Sequence, residues 1–383
     1  MKKFNLSIFA FMAIFMVSSC VEPKYDQPAE SSQKGFALSF FKNVVAASDA
    51  GENLIVSPYS AGVALSMVAE GAEGQTREEF DNVLNGCLFK AVDLGSNDTV
   101  TVKSANSVWV TDNFSVRNRF VDLMEKDFQA EVLNLNFADP ATVRAINNWC
   151  SEHTEGKITE IVDQLSPSNV MLLLNALYFN APWAEAFPQE NTRSEVFHAL
   201  DGDMQVQMMS KTDRLNYAEY QGAQMVEIPY AGDRYSMYVV LPPAGMNLDK
   251  VISYVNEGLY DQAMSMMNTA KVRLTMPKFK LETTMILNKT LQNMGIRSAF
   301  TSAANFKGIA EMGPLVLDQV KQKCYIDVSE KGTEAAAVTS VGVRLTSARP
   351  ETKVTMTVDR PYIFFIADRT NDNILFAGKI MKP

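Results

Sequence analysis

A continuous apolar run at Met171–Phe179, interrupted only by Asn175, constrains the fold of this chain more than any other feature. A run without polar alternation is typical of a β-strand whose two faces are both buried. Such a strand needs a layer of structure on each side of its sheet. The run therefore predicts a large sheet that is covered on both faces.

Helical patterns occur mainly in the first half of the chain, and strand patterns follow. Helices are predicted at Phe36–Ala47, Ala61–Glu70, Thr76–Leu84 and Ala141–Cys150. The third of these begins with Thr76 and Glu79, which have the spacing of a capping box. Strands are predicted at Ser104–Val110, Met171–Phe179, Met225–Pro229, Tyr235–Leu241, Lys271–Phe279, Val316–Val328, Lys353–Thr357, Tyr362–Ala367 and Leu375–Ile380. This order predicts an α+β fold around large, mostly antiparallel sheets.

Composition limits the kind of protein. No linker or repeat interrupts residues 35–383, and 47% of the chain is hydrophobic, so one continuous domain is predicted there. Two histidines, His153 and His198, and four cysteines without a CxxC pair disfavour a metalloenzyme, a zinc ribbon or a histidine-based hydrolase. We expect no catalytic residue, no metal and no cofactor. The formal net charge of −9 gives no general attraction for nucleic acid or anionic membranes.

The N-terminus has the pattern of a bacterial export signal. Two lysines precede an apolar stretch of about ten residues, which is too short to span a bilayer. The stretch ends in Val17-Ser18-Ser19-Cys20, which resembles a bacterial lipobox. The resemblance implies a signal peptide over residues 1–19 and lipid on Cys20. We also expect a location at the outer membrane or cell surface. A plain signal peptide with a chance cysteine is the alternative.

Residues 20–34 are polar and contain proline, so we expect a flexible tether between the anchor and the domain. The remaining cysteines, Cys87, Cys150 and Cys324, are odd in number and far apart in the sequence. They are predicted to be free and buried rather than paired in disulfides.

Short segments in a fixed order carry a family resemblance. They are Asn53–Ser60, Gly71–Thr76, Ala105–Trp109, Ile146–Trp149, Leu174–Phe179, Met276–Phe279, Glu330–Ala337, Asp359–Ile366 and Leu375–Lys379. In this order and spacing they resemble the serpins over nearly all of residues 35–383. The resemblance implies three β-sheets, about nine helices and an exposed reactive loop at about residues 332–352. It also implies a monomeric protease inhibitor, not an enzyme, that forms a covalent acyl-enzyme complex with its target protease.

Inhibition in this family requires the cut loop to enter the main sheet as a new central strand, and the loop sequence suits that demand. Alternate residues share one face of a strand, and the buried face must be uncharged. One alternate set is uncharged: Thr333, Ala335, Ala337, Thr339, Val341, Val343 and Leu345. The other set, which includes Glu334 and Arg344, carries both charges. No proline interrupts residues 333–347. An ordinary surface loop with chance alternation is the alternative.

The hinge of this loop is predicted at its start. It comprises Glu330, Gly332, Thr333, Glu334, Ala335, Ala336 and Ala337. Gly332 can adopt backbone angles that a pivot needs. Thr333 is expected to be the first side chain buried on insertion, and the alanines have little side-chain entropy to lose.

The resemblance predicts the scissile bond, because serpins are usually cut fourteen positions after the hinge glycine. Fourteen positions after Gly332 lies Thr346, which gives the bond Thr346–Ser347. Counting back from Pro361 instead suggests a loop several residues longer, so Ser347 and Ala348 stay alternatives. Threonine suits elastase-like or subtilisin-like proteases. Arg344 is the runner-up for trypsin-like enzymes, and Leu345 before Thr346 suits papain-like cysteine proteases.

Residues that control opening of the sheet are also implied by the resemblance. They are Ser57, Ser60, Asn175 and Gln322 in the shutter, and Trp183 where the loop enters. Many serpins have histidine at the position of Gln322, and glutamine does not titrate near neutral pH, so we expect no histidine-linked pH dependence of insertion. Plain core packing is the alternative for Trp183.

Two other functions are weighed against inhibition. A non-inhibitory serpin acting as a binding protein would share the motifs, and a solute-binding lipoprotein would share the signal and tether. Some relatives bind sulphated polysaccharide in the region of Phe80–Lys103. This chain has only Lys90 and Lys103 as lysines there, so no heparin-type polyanion site is expected.

Overall fold

The structure, a computed structural model, describes residues 30–97, 99–248, 251–252, 257–311, 315–333, 352–371 and 373–383. The α-helices in these ranges are α1 Glu30–Ala47, α2 Pro58–Glu70, α3 Gly74–Val83, α4 Asn118–Phe128, α5 Pro140–His153, α6 Glu257–Met266 and α7 Asn288–Met294. Two short 3-10 helices lie at Gln189–Asn191 and Ser298–Phe300. Within the described ranges, no helix combines the length and apolar character needed to cross a membrane.

Fifteen strands are described. They are β1 Leu54–Val56, β2 Thr101–Thr111, β3 Glu131–Leu135, β4 Met171–Pro182, β5 Arg193–Ala199, β6 Gly202–Tyr220, β7 Ala223–Pro229, β8 Tyr235–Leu241, β9 Asn268–Pro277, β10 Phe279–Ile286, β11 Gln319–Ser329, β12 Gly332–Thr333, β13 Lys353–Thr357, β14 Tyr362–Asp368 and β15 Asn373–Ile380. All nine predicted strands have a counterpart, although Phe279 begins β10 instead of ending β9.

The strands form one six-stranded and one nine-stranded hydrogen-bonded sheet. The six-stranded sheet has the order β10-β11-β12-β4-β2-β3. The nine-stranded sheet contains two strand groups, β5-β6-β9-β13 and β7-β8-β14-β15-β1. The long strand β6 joins them, because it pairs with β9 up to Tyr217 and with β7 from Tyr217 onward. The three sheets expected from the resemblance therefore correspond to the six-stranded sheet and these two groups.

The apolar run Met171–Phe179 lies in β4, at the centre of the six-stranded sheet. Its odd-numbered apolar residues pack in the main core, and Leu172, Leu174 and Ala176 pack in a second cluster on the opposite face. That second cluster contains Trp149 of α5 and Ile158 from the segment after α5. The strand is thus buried on both faces, and α5 with the segment that follows it forms the outer cover.

The N-terminal boundary differs from the prediction. Helix α1 begins at Glu30, so residues 30–34 of the predicted tether are helical and continuous with the domain. The helical pattern from Phe36 onward marks only the part of α1 whose apolar side chains are buried in the core. Residues 1–29, which include the predicted signal peptide and Cys20, lie outside the described residues.

The predicted capping box at Thr76 and Glu79 is wrong. Helix α3 begins at Gly74, and Thr76 lies inside it with its hydroxyl accepting from the backbone N–H of Asn305 at 3.1 Å. The Glu79 carboxylate accepts from the backbone N–H groups of Arg297 and Ser298, both at 2.7 Å. The pair therefore joins α3 to a segment more than 200 residues away, and local sequence spacing carries no sign of that contact.

Removal of the Glu79 carboxylate should destabilise this contact. In Glu79→Ala two backbone N–H groups lose their acceptor, so we expect the free energy of unfolding to fall by about 1–3 kcal/mol. Urea unfolding followed by circular dichroism measures the loss. Glu79→Gln keeps an acceptor oxygen and should lose less. Equal urea midpoints for the alanine variant and the wild type would contradict the assignment.

Candidate functional site

The short strand β12 lies between β11 and β4 at one end of the six-stranded sheet. Thr333 pairs with Val328 of β11 on one side and with Ala181 of β4 on the other. Both pairings are antiparallel. The first two residues of the predicted reactive loop thus already form a central strand, and the described chain resumes at Thr352.

Gly332 occupies a position that other residues fit poorly. Its φ is +148°, and a Cβ atom there would lie 2.3 Å from the carbonyl oxygen of Ala181 and 2.5 Å from Cα of Pro182. Real Cβ atoms do not approach backbone so closely, so a side chain at this position would push β12 away from β4. Glycine allows the chain to turn from β11 directly into the sheet.

The side chain of Thr333 is buried and has a polar partner. Its hydroxyl lies 2.7 Å from the hydroxyl of Tyr230. Tyr230 is itself fully buried, which raises the pKa of its phenol, and it stacks on Trp183 with ring centroids 4.5 Å apart. The Trp183 indole donates to the carbonyl of Ser329 at 2.9 Å. Trp183, the predicted entry residue, therefore holds the end of β11 beside the bound hinge.

Glu330 fixes the turn between β11 and β12. Its carboxylate lies 3.0 Å from Nζ of Lys278 and accepts from the hydroxyl of Thr192 at 2.8 Å. Its backbone carbonyl accepts from the N–H of Phe187 at 2.8 Å. Burial opposes ionisation of Glu330, but its own backbone N–H, Lys278 and Thr192 outweigh burial and lower its pKa. Glu330 thus acts as an anion that anchors the start of the hinge.

Beyond the hinge, β11 and β4 diverge. They pair in parallel from Gln319 opposite Leu172 to Cys324 opposite Leu177. Within the described residues, the next part of β11, Tyr325–Asp327, pairs only with β10, and Tyr178–Asn180 of β4 pairs only with β2. A strand that continued from β12 would run along this divergence and then meet the closed β11–β4 ladder.

Three buried amide side chains cross the sheet at the closed ladder. The register places Gln322 opposite Asn175, and Asn175 opposite Asn106 on β2. The Gln322 amide donates to Oδ1 of Asn175 at 2.8 Å, and the Asn175 amide donates to Oδ1 of Asn106 at 2.5 Å. We call these three residues the amide row.

The start of α2 is bound to the amide row. The backbone N–H of Ser57 donates to Oε1 of Gln322, and Nε2 of Gln322 donates to the carbonyl of Ser57, both at 2.9 Å. Asn175 donates to the Ser60 carbonyl at 3.2 Å and also to the Ser60 hydroxyl. The Ser57 hydroxyl caps α2 by accepting from the N–H of Ser60. Helix α2 is therefore tied to both strands that would have to separate.

The segment after α5 covers the same ladder from outside. Lys323 of β11 donates to the carbonyl of Glu160 at 2.7 Å and pairs with Glu282 at 2.5 Å. Lys321 lies 3.8 Å from Asp163. The side chain of Asn147 accepts from the backbone N–H of Ile161 and holds the segment against α5. Separation of β11 from β4 would therefore also displace this cover.

Residues 31–383 match the family model described as Serpin (serine protease inhibitor). The chain is a serpin. A serine protease inhibitor of Cyanea capillata is 32% identical over 93% of this chain and 98% of its own length. The thermophilic serpin tengpin in its native state has a TM-score of 0.85 at 28% identity, covering 94% of this chain and 96% of its own. The predicted family and the predicted α+β serpin fold are confirmed, and protease inhibition is the general activity of the family.

A third comparison concerns the fold alone. Thyroxine-binding globulin in complex with thyroxine has a TM-score of 0.81 at 23% identity, covering 92% of this chain and 99% of its own. The serpin fold therefore also occurs in a protein whose structure contains a small-molecule ligand.

The structure brings together Ser57, Ser60, Asn175 and Gln322, but it does not describe several of the predicted residues. Glu334, Ala335, Ala336, Ala337, Arg344, Thr346, Ser347 and Cys20 lie outside the described residues. Asn106, Tyr230 and Lys278 were not predicted as site residues. Asn106 follows Ser104 and Ala105 in a strand with other polar residues, and only the register shows that it faces Asn175.

The two histidines of this serpin lie apart from the amide row, whereas Cys324 is two residues from Gln322 on β11. Nε2 of His153 is 3.0 Å from Glu131, and Nδ1 of His198 is 2.7 Å from Asp203, whose hydrogen bond raises the pKa of His198. Cys87, Cys150 and Cys324 are free and buried, as predicted. Burial raises the pKa of Cys150 to about 12, which disfavours the reactive thiolate.

The pKa of Glu330 predicts a pH dependence of stability. Because its pKa is lowered in the folded serpin, its anion contributes stability above the unfolded value of about 4.3, and this contribution is lost as the pH falls toward the folded value. Glu330→Gln should have a Tm about 2–4 °C lower at pH 7. Its Tm should fall less than that of the wild type between pH 5 and pH 3.5.

Differential scanning fluorimetry across this pH range measures both effects. Glu52→Gln serves as the control, because Glu52 is exposed and its pair with Lys382 is long at 3.5 Å. If the Tm of Glu330→Gln and the Tm of the wild type changed equally with pH, the Glu330 contacts would not stabilise the hinge.

Proposed function

We propose that this serpin is a suicide-substrate inhibitor that traps a serine protease as an acyl-enzyme by inserting its cleaved loop into the six-stranded sheet. The position of β12 carries the proposal. The first two loop residues already pair with both β11 and β4, and Thr333 is already buried against Tyr230. Insertion would extend a strand that has begun.

The register of β12 supports further insertion. Thr339 follows Thr333 by six residues. On β11, Gln322 precedes Val328, which pairs with Thr333, by six residues. On β4, Asn175 precedes Ala181, which also pairs with Thr333, by six residues. Both neighbouring strands would thus bring Thr339 to the amide row. Side chains two residues apart share a face of a strand, so Thr339 would point to the same side as Thr333. Its hydroxyl would then meet the amides of Gln322 and Asn175.

The uncharged character of the remaining inward residues favours the same outcome. Ala335, Ala337, Val341 and Val343 would occupy the other inward positions of the new strand. Each β11–β4 pairing that opens would be replaced by two pairings with the inserted strand. Antiparallel pairings are also slightly more stable per residue than the parallel ones they replace.

We place the attacked bond at Thr346–Ser347, from the position of the hinge glycine. The protease serine would attack the Thr346 carbonyl, form an ester, and release the amine of Ser347, which takes up the proton from the protease histidine. Threonine favours an elastase-like or subtilisin-like target. Cleavage after Arg344 would point to a trypsin-like protease, and a papain-like cysteine protease would form a thioester instead.

A non-inhibitory serpin that acts as a binding protein is the second candidate. A pocket with an apolar lining favours the binding function. The lining includes Met225, Val240, Ala263 and Phe365. The fold shared with thyroxine-binding globulin adds support at the level of architecture only. This function requires no stabilisation when the loop is cut, whereas an inserted strand would make the cleaved serpin much more heat-stable.

Two neighbouring substitutions test insertion. Ala335→Glu would place a charge on the buried face, whereas Ala336→Glu would place the same charge on the opposite, outward face. Burial of an unpaired carboxylate costs several kcal/mol, so Ala335→Glu should raise the number of serpin molecules consumed per protease trapped by about tenfold or more. Ala336→Glu should inhibit like the wild type. Pancreatic elastase and subtilisin are the probes, and SDS-stable complex is the readout.

The same reactions locate the bond and separate the two candidate functions. The C-terminal fragment released from the complex should begin at Ser347, and a start at Leu345 would move the bond to Arg344. Full complex yield from Ala335→Glu would overturn the insertion step. Cleaved wild-type serpin without complex and without a higher Tm would favour the binding function.

We propose further that the serpin is exported, lipidated on Cys20 and displayed as a monomer at the outer membrane or cell surface. The lipobox-like segment before Cys20 supports export and lipidation, and display at the surface would let the loop meet an external protease.

Cys20→Ala should abolish labelling by radioactive palmitate in a bacterial host and move the protein from the membrane fraction to the soluble fraction, because the only proposed anchor is lost. Cys87→Ala is the control, since Cys87 is a buried free thiol. Membrane association that survives Cys20→Ala would contradict the proposed anchor.

A further inference from the structure

Four basic residues lie on one exposed face of the strand group β6-β9-β13. Arg214 of β6 is directly opposite Lys271 of β9, and Lys271 is directly opposite Lys353 of β13. Arg273 follows two residues along β9 and therefore shares this face. All four are exposed, whereas the alternate residues of these strands, such as Val272, are buried. We call these four residues the basic row.

The direct pairing of Lys271 with Arg214 and with Lys353 does not favour the stability of the sheet. Neighbouring strands are about 4.8 Å apart, and like charges directly opposite each other are destabilising. Among the described residues, no acidic side chain forms an ion pair with Lys271, Arg273 or Lys353. The acidic residues nearest in the strands have other partners.

Asp213, on the opposite face of β6, is 3.6 Å from Nζ of Lys211. Glu227 accepts from Asn216 and Ser236, and it pairs with Arg369 at 3.1 Å. The positive charge of Lys271, Arg273 and Lys353 therefore stays directed outward, in a chain whose net charge is −9.

The basic row lies close to the bait loop along the chain. Lys353 begins β13, and the residue before it, Thr352, accepts from the N–H of Lys271 at 2.9 Å. Lys353 follows Ser347 by 353 − 347 = 6 residues. Fully extended chain covers at most about 3.5 Å per residue, so the proposed scissile bond lies within about 21 Å of Lys353.

A protease bound at that bond must extend over this distance. A globular domain of about 220 residues has a radius of gyration of about 17 Å, so it covers surface well beyond its active site. The basic row is thus within the range that a protease bound at that bond can cover.

We propose that Arg214, Lys271, Arg273 and Lys353 form a docking surface for an acidic patch on the protease that attacks the loop. The proposal rests on the proposed function, because it takes the loop as the bait. Complementary charge raises association rates by about 10- to 1,000-fold at low salt, and the gain falls as ionic strength rises. The surface would favour acidic proteases over basic ones of the same cleavage specificity.

The test compares two triple variants with the same change in net charge. The first variant neutralises the three residues of the row for which the described residues provide no ion pair. Its substitutions are Lys271→Gln, Arg273→Gln and Lys353→Gln. Arg119→Gln, Lys126→Gln and Lys289→Gln neutralise exposed residues of α4 and α7. The readout is the second-order rate constant of loop cleavage by one elastase of acidic and one of basic isoelectric point, at about 20 mM and about 500 mM salt.

The row variant should be cleaved by the acidic elastase about tenfold more slowly at low salt, and the difference should vanish at high salt. The control variant should match the wild type within about twofold, and the basic elastase should not cut the row variant more slowly. The Tm of the row variant should not fall, because its substitutions remove repulsion. This Tm separates a docking effect from a folding defect.

Equal losses in both variants would assign the effect to net charge and overturn the proposal. Unchanged cleavage of the row variant, together with loss of binding to immobilised heparin, would assign the row to a polyanion and also overturn it. Cleavage rates do not depend on complex formation. A loop that is cut without trapping the protease would therefore refute inhibition while the docking surface is still measured.

Discussion

The parallel ladder between β11 and β4 is the contact on which the rest of this structure depends. It closes the centre of the six-stranded sheet over a few residue pairs, and β12 occupies the place where the two strands have already parted. Parallel pairing is slightly weaker per residue than antiparallel pairing, so this junction has less to lose on opening than the antiparallel β10–β11 and β2–β4 junctions on either side of it. The amide row and the outer cover meet at this ladder, and the hinge lies beyond its end.

The groups around the ladder hold it from both faces by different means. On the core side the amide row and the start of α2 use neutral hydrogen bonds in a fully buried site. On the outer side the cover combines apolar packing with the contacts of Lys321 and Lys323. Buried polar groups without partners are costly, so separation of the strands is favourable only where new partners replace the lost amide contacts. A threonine hydroxyl is a partner of the right kind.

The sequence predicted the structural features that depend on neighbouring residues, and it missed those that depend on residues remote in the chain. Met171–Phe179 was predictable because burial on both faces requires apolar residues at every position, and the shutter residues followed from the family resemblance. Thr76 and Glu79 had the spacing of a capping box, but their real partners, Asn305, Arg297 and Ser298, are remote in sequence.

Features that depend on strand register were not predictable. Strands β3 and β5 have mostly exposed or half-exposed residues, so they carry no burial pattern, and their absence from the prediction is expected. Asn106 and the basic row become visible only when distant strands are aligned. The chemistry of the bait loop was open to analysis because its alternation is local.

The hydrogen bonds of Gln322 have a consequence for timing. An acyl-enzyme between a protease and its bait survives only until water hydrolyses it. If the loop inserts as we propose, opening of the ladder competes with that hydrolysis. A stronger contact between Gln322, Asn175 and α2 would then lengthen the lifetime of the native, uncleaved inhibitor. It would also slow insertion, so more inhibitor molecules would be cleaved without trapping a protease. The buried amides would thus set a compromise between durability and yield, without any effect on how tightly the protease first binds.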